Sequence, residues 1–145
     1  MRIDTAELRE GLAETRRFAL AHHLPSERYR CYSPVLFGRR VHLCARCLGI
    51  YPGLLAGFLS QFLVLREANA LLVVALFPLP ALIDWAVTTF RDRRGYNGVR
   101  TATGALLGYG YGCGLSLVLF ESNLTVLGIG GCYGIIAVVS IYYAW

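Results

Sequence analysis

Long apolar stretches divide the second two-thirds of the chain into four candidate membrane spans. Three of these stretches contain no charged residue. In the remaining one, the second along the chain, Asp84 is the only charged residue. A helix that crosses the roughly 30 Å of bilayer hydrocarbon needs about 20 mainly apolar residues. The pattern therefore predicts an all-α membrane protein with four transmembrane helices, at about 47–65, 70–90, 101–120 and 124–145.

Two different patterns precede the bundle, which we expect to occupy residues 47–145. Residues 1–21 predict an amphipathic helix, because Asp4 and Glu7 fit a capping box and a thin apolar stripe follows them. This helix would pack under the bundle or bind a partner. Residues 22–46 predict a cytoplasmic loop that contains cysteines and histidines. A segment this long without helix or strand periodicity needs something to order it, and a bound metal is one candidate.

Composition supports a membrane protein, and the charge distribution predicts its orientation in the membrane. The chain is 56% hydrophobic with a mean hydropathy of +0.51, above the usual balance of soluble proteins. Its net charge of +5 comes from arginine, since the chain has no lysine. With four spans, every arginine except Arg66 lies on the face that carries both termini and the loop between spans 2 and 3. The positive-inside rule predicts an inner-membrane protein with both termini cytoplasmic, and topology explains the basic residues without nucleic-acid binding.

Glycines recur at four-residue spacing in three of the predicted spans. In lipid, this spacing lets helix backbones approach closely, as in a glycine zipper. The positions are Gly49, Gly53, Gly57, Gly104, Gly108, Gly112, Gly130 and Gly134. They predict a dense bundle and not a wide pore.

The first candidate site is a cluster of cysteines and histidines before the first span. Three of the five cysteines and all three histidines lie within 26 residues. Cys44-x-x-Cys47 has the spacing of a zinc knuckle, and a reducing cytosol disfavours a disulfide there. We predict zinc, or another thiolate-bound transition metal, on His23, Cys31, Cys44 and Cys47, with His22 and His42 in reserve. Thiol exchange and a loop of unrelated side chains remain the alternatives.

The second candidate site surrounds Asp84. An ionisable residue within a span normally has a partner or a function. An ion pair with Arg100, at the start of the third span, is one interpretation. The other is a site for a phosphate or carboxylate group, covered by the metal-clamped loop. The predicted ligand-binding residues are Asp84, Arg91, Asn97, Arg100 and Thr103, and the candidate catalytic residues are Asp84 and Arg100.

Four runs of sequence carry a resemblance to a known family. They are HHLPSER at 22–28, CARCLGIYPG at 44–53, LPALIDW at 79–85 and NGVRTATG at 97–104. Together they resemble the domain of unknown function 2085 family of small predicted membrane proteins, over about residues 22–112. The resemblance implies site positions at His23, Cys44, Cys47, Tyr51, Asp84, Asn97, Arg100, Thr103 and Gly104, and it implies no reaction. This chain departs from the family where Cys-His is replaced by His22-His23 and Asp-Gly by Asp84-Trp85.

These observations predict binding or processing of an anionic small molecule, lipid-linked or free, at the membrane–cytosol boundary. The alternatives are a non-enzymatic subunit or assembly factor of a larger membrane complex, a homo-oligomer included, and a carrier of small solutes. Common catalytic motifs such as HExxH are absent from the sequence. We expect membrane lipid among the partners and no nucleic acid.

Overall fold

Helices make up most of the structure, a computed structural model that describes residues 5–20, 23–63, 67–91 and 93–144. Two units are distinguished along the chain, residues 1–45 and residues 46–145. The first unit holds most of the Cys/His segment, and the second holds the long apolar helices. The mainly helical architecture expected from the sequence is confirmed.

The first unit contains, over its described residues, an α-helix, a 3-10 helix and four very short strands. Helix α1 spans Thr5–Leu20, and the 3-10 helix spans Pro25–Arg30. The strands are β1 Cys31–Tyr32, β2 Val35–Leu36, β3 Arg39–Arg40 and β4 Leu43–Cys44. Strand β1 pairs with β4 and β2 with β3, both antiparallel. The segment expected to be an irregular loop is therefore ordered by backbone pairing.

The described residues of the second unit form five α-helices. They are α2 Ala45–Leu63, α3 Glu67–Leu76, α4 Pro78–Phe90, α5 Asn97–Glu121 and α6 Thr125–Ala144. Helices α3 and α4 follow one another with only Phe77 between them. Pro78 marks their junction because proline has no N–H for a hydrogen bond to the preceding turn.

Three helical stretches are long and apolar enough to cross a membrane. They are Asn69–Phe90, Asn97–Glu121 and Thr125–Tyr143. The apolar part of α2 is shorter, at Ala45–Ser60. Helices long and apolar enough to span a membrane are thus confirmed for the last three predicted spans, whereas the count of four spans and a crossing by α2 stay predictions.

Glycines bring α2 and α5 into backbone contact. A Cβ atom added to Gly53 would overlap the carbonyl oxygen of Ala105, and one added to Gly108 would overlap that of Ile50. Similar overlaps would arise at four further glycines of the two helices, Gly49, Gly57, Gly104 and Gly112. Any larger residue would push the helices apart.

Helix α6 differs from α5 in its glycines. A Cβ atom added to Gly130 or Gly134 would have no described atom within 4 Å. The close packing expected at these two positions is therefore not found in this structure. The buried core lies instead between α3 and α5, where Ala70 and Val74 pack with Cys113 and Leu117.

Candidate functional site

An ion pair joins the start of α2 to the middle of α4. Nη2 of Arg46 donates to Oδ2 of Asp84. The side chain of Asp84 is 9% exposed and that of Arg46 is 24% exposed. Gly104 makes room for this arrangement, because a Cβ there would meet the carbonyl oxygen and the Cγ of Arg46. Helix α5 thereby holds Arg46 where it reaches the single acidic residue of α4.

Arg46 also carries a polar atom that is not satisfied. Its Nε is buried and has no hydrogen-bond partner among the described residues. A buried donor of this kind is usually satisfied by a bound water, an ion or a ligand. The ion pair with Asp84 therefore uses only part of the hydrogen-bonding capacity of Arg46.

Arg100 is buried, with 3% exposure, but it does not pair with Asp84. Its Nη1 donates to Oδ1 of Asn97 at 3.2 Å, and its Nη2 donates to the carbonyl oxygen of Arg94. The Asp84–Arg100 ion pair, one of the two interpretations of the sequence, is thus not found in this structure, because the guanidinium of Arg100 is directed to the loop before its own helix. Arg46 occupies the position beside Asp84 instead.

The loop between α4 and α5 is fitted closely around Arg100. Gly95 has φ +63, and a Cβ there would lie 2.8 Å from Cγ2 of Thr88 and 3.2 Å from Nη2 of Arg100. The hydroxyl of Thr88 in turn donates to the carbonyl oxygen of Asp84 at 2.7 Å. Glycine suits this position both because of its positive φ and because no side chain fits.

The remaining residues of the predicted anion site have different surroundings. Arg91 is exposed at the end of α4. Thr103 is buried, and its hydroxyl donates within α5 to the carbonyl oxygen of Val99 at 2.9 Å. Tyr51, a position implied by the family resemblance, is exposed on α2. The structure therefore gathers Asn97 with Arg100, and leaves Arg91 and Tyr51 at the surface.

The first unit brings His23 beside Cys44 and pairs the backbone of Cys31 with that of Cys44. Cys31 and Cys44 lie opposite each other in the β1–β4 ladder, and both are buried. Nε2 of His23 lies 3.4 Å from Sγ of Cys44. The other ring nitrogen of His23, Nδ1, lies 3.5 Å from Oε2 of Glu27. Strand pairing therefore fixes the two cysteines, and the 3-10 helix supplies a carboxylate behind the histidine.

The other predicted ligands are placed differently. His42 shares a hydrogen bond of 2.7 Å between its Nδ1 and Oγ of Ser33. Cys47 lies half-buried in the first turn of α2. His22 lies outside the described residues. Within the described part of the chain, no group of three or more His, Cys, Asp or Glu side chains is arranged as a metal-binding site.

A cavity of about 710 Å³ lies within the second unit. Its walls come mainly from α4, α5 and α6 and are apolar, and among the described residues only Arg46 lines it with a charge. Trp85, the neighbour of Asp84, also lines the cavity. Across it, the hydroxyl of Tyr133 on α6 donates to the carbonyl oxygen of Ala75. The dense bundle expected from the glycine spacing thus contains a large apolar space.

Arg46 is the functional candidate that the sequence reasoning missed. In the sequence it is one of the arginines that set the topology, and no site is assigned to it. The available signal was the shared four-residue spacing of glycines in α2 and α5. That spacing predicts a close approach of the two helices, but it does not give the register that places Arg46 against Gly104.

Comparison with known proteins agrees with the resemblance inferred from the sequence. The profile of a family described as a predicted membrane protein, DUF2085, matches residues 28–113. An uncharacterised protein of Methanocaldococcus jannaschii is 28% identical over 96 residues, which cover 62% of this chain and 57% of that protein. No solved structure matches the chain. The chain therefore belongs to the DUF2085 family of predicted membrane proteins.

Proposed function

We propose that this membrane protein binds an anionic small molecule, lipid-linked or free, at the membrane–cytosol boundary. The observation that carries the proposal is the Arg46–Asp84 ion pair among apolar helices, in which the side chain of Arg46 stays 24% exposed and its Nε has no acceptor among the described residues. Charged groups are costly inside a bilayer and are generally retained there for a function or a pairing. An anionic group at Arg46 would satisfy the remaining donor.

Further cations lie on the loop between α4 and α5. Arg93 and Arg94 are exposed there, as is Arg91 at the end of α4. Arginine binds phosphate and carboxylate groups through paired hydrogen bonds. Because the donors of Arg100 bond Asn97 and the loop backbone, we assign Arg100 to fixing the loop and Arg46 to the ligand. The arginine distribution favours the cytoplasmic side for this surface.

Ligand-dependent stabilisation tests the proposal. The unfolding temperature of the protein in detergent is measured with phosphatidylglycerol, phosphatidylcholine or glycerol 3-phosphate added. We expect phosphatidylglycerol to raise it and phosphatidylcholine not to, since a ligand that binds only the folded state stabilises it. An effect of glycerol 3-phosphate would identify a free ligand. Arg46→Gln should remove the effect, and Arg9→Gln on the exposed surface of α1 is the charge-matched control.

A structural zinc ion in the segment before the first span is a second part of the proposal. Zinc bonds of about 2.3 Å to sulfur and about 2.1 Å to nitrogen put two tetrahedral ligands about 3.6 Å apart. The 3.4 Å between Nε2 of His23 and Sγ of Cys44 suits shared coordination, and it equally suits a hydrogen bond without metal. Glu27 beside Nδ1 resembles the carboxylate that orients many zinc-bound histidines.

Cys31 and Cys44 would supply two thiolates to this ion, since they are buried opposite each other. Cys47 is included on the sequence spacing alone. The ion would then clamp the short β-ladder, which has few backbone hydrogen bonds of its own. Elemental analysis of purified wild type and Cys44→Ser protein tests this part.

Participation in a larger membrane complex is the alternative function. It is favoured by α6, in which none of the candidate span is buried against the rest of the described chain. Stoichiometric co-purification of another membrane protein, lost when α6 is altered, would favour this alternative. Phosphatidylglycerol-specific stabilisation of the isolated chain would favour ligand binding.

A further inference from the structure

The cavity of the second unit has the length of one bilayer leaflet. On α5 its lining runs from Leu107 to Val118, and on α6 from Val126 to Ala137. Each of these stretches spans about 16 Å at the helical rise per residue. Half of a bilayer hydrocarbon core is about 15 Å thick. An alkyl chain that extends through one leaflet would therefore match the cavity in length.

The two ends of the cavity differ in polarity. Arg46 packs against Gly104, one helical turn before Leu107, so it lies at the end where the α5 lining begins. At the opposite end the lining is formed by Val74, Val118 and other aliphatic side chains. Its volume, about 710 Å³, lies in the usual range of small-molecule sites, which are mostly apolar with a few polar groups.

We infer that the cavity holds one acyl chain of an anionic phospholipid from the leaflet nearest Arg46, with the headgroup at Arg46. The inference rests on the proposed function, to which it adds the tail-binding part of the same site. Apolar walls of one-leaflet length fit the chain, and the partly exposed, cavity-lining side chain of Arg46 offers a cation to the phosphate. A zwitterionic lipid would bring its own cation to the same place and would gain less from Arg46.

The fluorescence of Trp85 reports on the occupant directly, since this side chain lines the cavity. The chain has two tryptophans, so Trp145→Phe leaves Trp85 as the only one. The full-length protein is reconstituted in phosphatidylcholine vesicles that contain a minor fraction of chain-brominated phosphatidylglycerol or chain-brominated phosphatidylcholine. Bromine quenches tryptophan on contact. We expect brominated phosphatidylglycerol to quench Trp85 more strongly than the same fraction of brominated phosphatidylcholine.

A pair of adjacent glycines on α6 provides a matched test of the site. Gly130 lines the cavity and Gly131 does not, and an added Cβ at either position meets no described atom within 4 Å. Gly130→Leu should fill the cavity and remove the excess quenching by brominated phosphatidylglycerol. Gly131→Leu should retain that excess. Since both changes place leucine on the same open helix, a difference between them reflects the cavity and not the stability of α6.

Equal quenching by the two brominated lipids, or equal behaviour of the two glycine variants, would overturn the inference. The proposed function is tested separately by the unfolding temperature. If phosphatidylglycerol stabilises the protein through Arg46 while Gly130→Leu keeps the excess quenching, the tail site is wrong and headgroup binding survives. If phosphatidylglycerol does not raise the unfolding temperature of the wild-type protein, headgroup binding itself is wrong.

Discussion

Arg46 at the start of α2 is bonded to Asp84 in the middle of α4, although 38 residues separate them in the sequence. The pair links α2 to α4 and lies beside the cavity that Arg46 lines. The side chains of Arg46 and Asp84 are mostly shielded from solvent. Each charge therefore needs the other to offset the free-energy cost of leaving water.

A double-mutant cycle should detect this dependence. Asp84→Asn and Arg46→Gln should each lower the free energy of unfolding by about 3 kcal/mol, because each leaves one charge without its partner. The double variant should recover much of that loss, since neither charge remains. Chemical unfolding in detergent measures all three variants.

Arg100 is the control for this cycle. Its guanidinium bonds Asn97 and the carbonyl oxygen of Arg94 and not Asp84, so changes at Arg100 and Asp84 should couple far less than changes at Arg46 and Asp84. Recovery of stability in the Asp84→Asn/Arg100→Gln variant would mean that Asp84 is paired with Arg100, contrary to the structure.

The partner of Asp84 illustrates what could be predicted from the sequence. A charge within an apolar span predicts a partner, and the structure gives Asp84 a partner in Arg46. It could not choose between the arginines, because that choice depends on how closely α2 approaches α5. The approach is set by Gly104 and Gly108, whose missing side chains are visible in the sequence but whose register against α2 is not.

Other features depend on interactions that the sequence pattern does not reveal. Two-residue strands such as β1 and β4 are too short to give an alternating pattern, so the sequence does not predict that Cys31 and Cys44 pair in a ladder. The cavity arises because Gly130 and Gly134 leave space that no neighbouring helix fills. Glycine spacing alone indicates that a close approach is permitted, and it does not indicate whether a partner helix makes that approach.

The amount of bound zinc should depend on His23 and the predicted cysteine ligands. We expect about one zinc ion per wild-type chain, and its loss in Cys44→Ser, because a closed structural site uses four protein ligands. His42→Ala should retain the metal, since its ring is bonded to Ser33. Glu27→Gln should weaken binding by about 10–100-fold through loss of the carboxylate behind His23. Wild-type protein that is purified without chelators and contains no metal would contradict this prediction.

The glycines at the contact between α2 and α5 should not tolerate replacement by a residue with a side chain. Gly108→Ala places a methyl group against the carbonyl oxygen of Ile50, and we expect a loss of about 1–3 kcal/mol of stability from overpacking. Gly128→Ala on α6 is the control, since an added Cβ there meets no described atom within 4 Å. It should leave stability unchanged or raise it, because alanine is the better helix former. Equal effects of the two changes would refute the close approach.

The crossing of the membrane by α2 is testable with topology reporters. Alkaline phosphatase is active only outside the cytoplasm, whereas green fluorescent protein exported as an unfolded chain does not fluoresce. Fused after Asn69 in bacteria, the phosphatase should be active, and fused after Arg93 it should be inactive. Fluorescence of the green protein at the C-terminus should show that the chain ends in the cytoplasm. An inactive phosphatase after Asn69 would mean that α2 does not cross.

Native mass spectrometry tests the central claim, that Arg46 receives an anionic headgroup, most directly. Wild-type and Arg46→Gln proteins are incubated in detergent with equimolar phosphatidylglycerol and phosphatidylcholine of the same acyl chains, and the bound lipids are identified by mass. We predict that the wild type retains phosphatidylglycerol selectively and that Arg46→Gln retains neither lipid selectively. Equal retention of both lipids by the wild type, or undiminished selectivity in Arg46→Gln, would contradict the account.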